Sequence, residues 1–118
     1  MNLTDNVFSK TASLAHTNTD GFSTKFLNKS PSYLRTIKAQ GRELNHQNLA
    51  TLLNRVTEQA EYHSKSAQRI PQLRGFAAEW KDWERELASI FSTNLIEELE
   101  LNDVAKQLVR KQFIKKLI

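Results

Sequence analysis

The chain has 118 residues, of which 39% are hydrophobic and 25% charged, with a net charge of +4 and no cysteine. That length allows one domain, or a small domain with an extension. The missing cysteines exclude a disulfide framework and any thiolate metal site, and no apolar run approaches a membrane span. The opening MNLTDNVFSK lacks the apolar stretch of a signal peptide, so a cytoplasmic location is expected. Strand patterns are almost absent, and only three Gly and two Pro interrupt the chain. The expectation is an all-α protein of five to six helices, with an N-terminal helical bundle and a C-terminal helical extension.

In chain order, Thr4 is the expected cap of a first helix to about Ala15, with Val7, Phe8, Ala12 and Leu14 or Ala15 inward. His16 to Gly21 reads as a loop. A short helix follows over Phe22–Leu27, with Phe22, Phe26 and Leu27 apolar. Asn28 stops it, because Asn tolerates the left-handed conformation that closes a helix. Ser30 then caps a second helix that starts at Pro31, runs to about Gln40 and stops at Gly41. Leu34 and Ile37 face its core side.

A helix from His46, capped by Asn45, carries Leu49, Leu52, Leu53 and Val56 and continues to about Gln68. Pro71 starts another to about Phe91, with Leu73, Phe76, Ala77, Trp80, Leu87 and Phe91 at helical spacing. Ser92 or Thr93 caps a last helix rich in aliphatics, with a break expected near Asn102–Asp103. Its acidic start and basic end suit the helix dipole. The division expected is 1–57 as an N-terminal domain and 58–118 as an oligomerisation or partner-binding extension.

The basic charge is not evenly spread. Residues 1–42 hold six Lys/Arg against two Asp, whereas residues 43–118 hold eleven against eleven Asp/Glu. The whole excess therefore lies beside the paired short helices, as phosphate contact requires. A basic two-helix unit of this size is what the DNA major groove accepts. Ser32, Tyr33, Arg35 and Thr36 are the expected base-contacting residues, and Lys25, Lys29, Lys38 and Arg42 the expected phosphate contacts.

The stretch resembles the helix-turn-helix of phage-repressor-type (Cro/C1-like) DNA-binding domains, over roughly residues 4–57. The small residue of that family's first helix falls on Thr24, the turn residue on Asn28, the capping Ser on Ser30, and the two aliphatic anchors on Leu34 and Ile37. Lys29 departs from the pattern, since that turn position is usually aliphatic. The resemblance implies a sequence-specific transcriptional regulator that binds double-stranded DNA with the helix over 31–40. A homodimer would match two half-sites.

The competing expectation is a phage- or plasmid-type adaptor or inhibitor that keeps the scaffold without DNA binding. Its partner-binding residues would be Trp80 and Trp83, or its surface the last helix. No enzyme is expected: His16, His46 and His63 lack metal-ligand spacing, and no phosphate-cradling Gly-rich loop is present. No cofactor and no metal are expected.

Overall fold

The computed structural model describes residues 2–91 and 98–117. These residues contain helices and turns and no strand, so the protein is all-α as its sequence implies. The helices are α1 (Leu3–Ala15), α2 (Thr19–Gly21, continuing as a π-helical turn over Phe22–Phe26), α3 (Tyr33–Ala39), α4 (His46–Arg69), α5 (Arg74–Ala88) and α6 (Asp103–Leu117). The chain divides into two compact units, Met1–Leu52 and Leu53–Ile118.

In the N-terminal unit, α1 is capped by Asn2, not by Thr4: the Asn2 Oδ1 accepts from the Asp5 N–H at 2.8 Å. Thr4 turns inward, and its hydroxyl accepts the N–H of Leu44 at 3.0 Å. The inward stripe of α1 is accordingly Thr4, Val7 and Thr11. Phe8, Ala12, Leu14 and Ala15 are only half-buried. Threonine can occupy such a stripe when its hydroxyl has a partner.

The loop expected over 16–21 is shorter than its polarity suggests. Asn18 caps α2 by accepting the Gly21 N–H at 2.8 Å, so the helix resumes at Thr19. Phe22, Phe26, Leu27, Leu34, Ile37, Leu44 and Leu49 form the core of the unit, with Phe8 set edge-on to Phe22 at 5.3 Å.

Asn45 begins α4 as its sequence suggests, accepting the Asn48 N–H at 2.8 Å. The helix then runs unbroken to Arg69.

The C-terminal unit is organised around α5. Pro71 opens a 3-10 turn over Pro71–Leu73, and α5 ends at Ala88 rather than near Phe91. Backbone bonds from Ser89, Ile90 and Phe91 back to the last turn close it. The expected caps Ser92 and Thr93 lie outside the described residues. Asn102 is the cap observed for α6, accepting from the Ala105 N–H at 2.8 Å. Asn54 on α4 holds that cap in place: its Oδ1 accepts the Asn102 N–H at 2.8 Å, and its Nδ2 donates to the Glu100 carbonyl at 2.7 Å.

Glu84 is the anomaly of this unit, because it is buried on α5 and its Oε2 has no hydrogen-bond partner among the described residues. Burial raises its pKa above the ordinary value of 4.5, with Lys81, 3.6 Å away, pulling the other way. The folded carboxyl thus keeps its proton to higher pH than the unfolded one. Its destabilising effect is absent below about pH 4.5, the unfolded value. It grows as pH rises through the folded value. Glu84→Gln should therefore raise stability at pH 7 and change it little at pH 4. Thermal melts at the two pH values measure both.

His63 titrates with the opposite sign. Its ring stacks on Trp80 at 5.5 Å and meets Phe76 edge-on at 4.7 Å, and burial lowers its pKa. Its contribution is full above the unfolded value of 6.5 and is lost as pH falls through the folded one.

Candidate nucleic-acid interface

The junction of α2 and α3 is built by one serine. Ser23 is wholly buried. Its hydroxyl donates to the Thr19 carbonyl at 3.0 Å and accepts the Leu34 N–H at 3.1 Å. Its own carbonyl accepts the Lys29 N–H at 2.9 Å. Asn28 sits at φ 56, the left-handed turn its identity suggests. Ser30 does not cap α3. Its carbonyl instead accepts the Tyr33 N–H at 3.0 Å, which makes Pro31 and Ser32 a turn and starts the helix at Tyr33. The buried first-turn N–H of Leu34 is satisfied across space by Ser23, where a local cap was expected.

The small residue facing α3 is thus Ser23, while Thr24 is exposed and bonds back to the Asp20 carbonyl at 3.1 Å. The π-helical turn explains the difference. Its Leu27 N–H reaches the Phe22 carbonyl, five residues back, so the inward position moves by one residue relative to an α-helix. Ser23→Ala would leave the Leu34 N–H buried and unpaired. It should cost about 1–3 kcal/mol, read from urea unfolding followed by far-UV circular dichroism.

The far end of α3 is equally well defined. Gly41 has φ +67, the Arg42 N–H bonds to the Ile37 carbonyl at 2.8 Å, and the Gly41 N–H bonds to the Lys38 carbonyl at 3.0 Å. This is a Schellman closure, which glycine enters without steric cost.

With Leu34 and Ile37 in the core, Ser32, Arg35 and Thr36 stand exposed at helical spacing on the outward face. Tyr33 differs from the other expected base contacts. It is half-buried, and its hydroxyl accepts from Nδ2 of the buried Asn48 at 2.8 Å, which pins the start of α3 to α4. The Lys29 ammonium lies 5.4 Å from the centroid of the same ring. Lys25 and Arg42 are exposed.

Two cations of this face carry ion pairs that sequence order hides. The Arg35 guanidinium meets Asp20 of α2 at 3.2 Å, and the Lys38 ammonium meets Asp5 of α1 at 2.7 Å. Asp20 and Asp5 are the only two acidic side chains within residues 1–42, and both are spent on the face of α3.

The tryptophans do not form the partner surface expected of them. Trp80 and Trp83 are 1% and 4% exposed and belong to the core of the C-terminal unit. Among the described residues there, the large apolar side chains left exposed are Tyr62, Ile70, Ile90, Val104, Phe113 and Ile114. A shallow groove of about 360 Å³ between α4 and α5 has Ala67, Ala77 and Ala78 among its lining residues. No cluster of His, Asp or Glu able to hold a metal occurs among the described residues. No described helix is long and apolar enough to cross a membrane.

The structure therefore defines an all-α protein whose N-terminal unit presents a helix, a tight left-handed turn and a second helix with a polar outer face. The chain belongs to a family of unknown function, DUF6626, whose pattern matches residues 7–100. No curated protein and no solved structure matches it.

Proposed function

We propose that this protein binds double-stranded DNA by laying α3 in the major groove, and acts as a small cytoplasmic transcriptional regulator. The observation that carries the reading is the fixing of α3 at both ends. Ser23 and Asn28 set its start, Gly41 sets its stop, and Ser32, Arg35 and Thr36 are left outward. A helix that reads DNA needs that rigidity, because base contacts demand side chains held in register. Arg35 would favour guanine through two parallel hydrogen bonds, with Ser32 and Thr36 beside it. Lys25, Lys29, Lys38 and Arg42 would contact phosphates, and Tyr33 would support α3 from behind. A homodimer would place two such helices on two half-sites.

The test is a fluorescence-anisotropy titration with a labelled random duplex at about 50 and 200 mM salt. A protein making several phosphate contacts should lose orders of magnitude in affinity between the two, by the approximately 0.9 ions released per phosphate. Absence of binding at the lower salt would refute the reading.

A second reading, a protein-binding adaptor without DNA binding, draws on the neutralisation of Arg35 and Lys38 by Asp20 and Asp5. Its surface would be formed by the exposed apolar side chains of α4 or α6, since Trp80 and Trp83 are enclosed.

A further inference from the structure

The two ion pairs on α3 have a meaning within the DNA-binding reading, on which this inference rests. We propose that Asp20 is a specificity-determining residue: it keeps the Arg35 guanidinium from bare phosphate and positions it for guanine.

The geometry supplies the argument. Arg35 and Asp20 are 61% and 48% exposed, so their pair stands in solvent at the reading face. An exposed pair of this kind is held weakly and can be displaced. It is still a competitor that any ligand of Arg35 must beat. A backbone phosphate offers Arg35 what Asp20 already offers, an anionic group with two acceptor oxygens. It must also approach a second negative charge, the Asp20 carboxylate itself. A guanine edge presents O6 and N7 together, carries no net charge and suffers no such repulsion. Asp20 meets the guanidinium at Nη2. A guanidinium has five N–H donors in a rigid fork, so a base edge can be met while Asp20 still holds the other side. Asp20 would thus lower affinity for arbitrary DNA and preserve affinity where guanine stands opposite Arg35.

Asp5 acts alongside it. Lys38 is a point charge without the planar fork of arginine, so its pair with Asp5 at 2.7 Å only reduces phosphate attraction and adds no base preference.

The experiment uses the full chain and its D20N and D5N variants. Each is titrated against a labelled random duplex at about 50 and 200 mM salt, then taken through selection from a randomised duplex library. D20N should bind the random duplex several-fold tighter than wild type at the lower salt. Its advantage should shrink by about 3.5-fold at the higher salt, as one further phosphate contact requires. The site it selects should show weaker preference at a guanine that wild type enriches. D5N should gain random-duplex affinity without altering that guanine preference. A D20N variant that binds the random duplex no tighter than a DNA-binding wild type overturns the inference and leaves the DNA-binding reading intact. So does one that selects the same guanine equally well. If wild type and both variants all fail to bind at the lower salt, the reading and the inference fall together.

Discussion

Leu34→Ala should destabilise the N-terminal unit by about 3–4 kcal/mol, within the range for leucine truncation in a closed core. Leu34 is wholly buried, and its N–H is the one held by the Ser23 hydroxyl. The side chain and the backbone bond at this residue therefore fix α3 together. The N-terminal unit is small, and domains typically have only about 5–15 kcal/mol in total. A loss of this size should show as a large fall in the urea midpoint of the far-UV circular dichroism signal. Both tryptophans lie in the C-terminal unit, so their emission reports on that unit, whereas the dichroism signal also covers α1 to α3. On the proposed DNA-binding reading, duplex binding should be lost with α3. A stability within about 0.5 kcal/mol of wild type, the range of an ordinary surface change, would mean that Leu34 is not the anchor of α3.

The second large effect concerns binding and leaves folding intact. On the proposed DNA-binding reading, Arg35→Glu with Lys38→Glu should reduce duplex affinity by two to three orders of magnitude, from about 1–3 kcal/mol for each proposed contact reversed. Both side chains are about half exposed, so the reversal leaves the core packing untouched. It does place new carboxylates beside Asp20 and Asp5. The neutral pair Arg35→Gln with Lys38→Gln is therefore the companion variant, expected to weaken binding less and to melt close to wild type. In both, the salt dependence should flatten, by about 0.9 in slope for each phosphate no longer neutralised. Unchanged binding by either variant would remove α3 from the interface and direct attention to the exposed side chains of α4 and α6.

The long elements are readable in the sequence, for clear reasons. Apolar residues recur at helical spacing through α4 and α5, Pro71 marks a start, and Asn45 is a strong cap at the right place, whereas Asn102 reads only as a break and turns out to cap α6. Leu34, Ile37, Asn28 and Gly41 are equally plain, because each does its work through its own type: two aliphatics in a core and two residues tolerant of positive φ. The pairings that depend on residues distant in the chain are not readable. Thr4 looks like a cap and instead serves Leu44, and Ser30 looks like a cap where Ser23 performs the service. Asp5 looks like an ordinary first-turn acid, favourable to the helix dipole, and Asp20 like a loop residue, and neither gives a sign that Lys38 and Arg35 lie against them. Tyr33 has the makings of a base-stacking or base-bonding residue until Asn48 is seen on its hydroxyl. Trp80 and Trp83 stand three apart, and which neighbours enclose them is a tertiary fact.

The π-helical turn over Phe22–Phe26 bears on how this chain is lined up with others. A π-turn is an α-turn with one residue added. An ungapped alignment to a protein whose first helix is α throughout pairs Thr24 with the packed position and sets Ser23 one place out. A single gap between Ser23 and Asn28 brings the packed serine and the turn asparagine into correspondence at once. The same arithmetic marks the segment as the place in this unit where deletion of one exposed residue, such as Lys25, can be absorbed by a return to α register, with both ends of the turn kept.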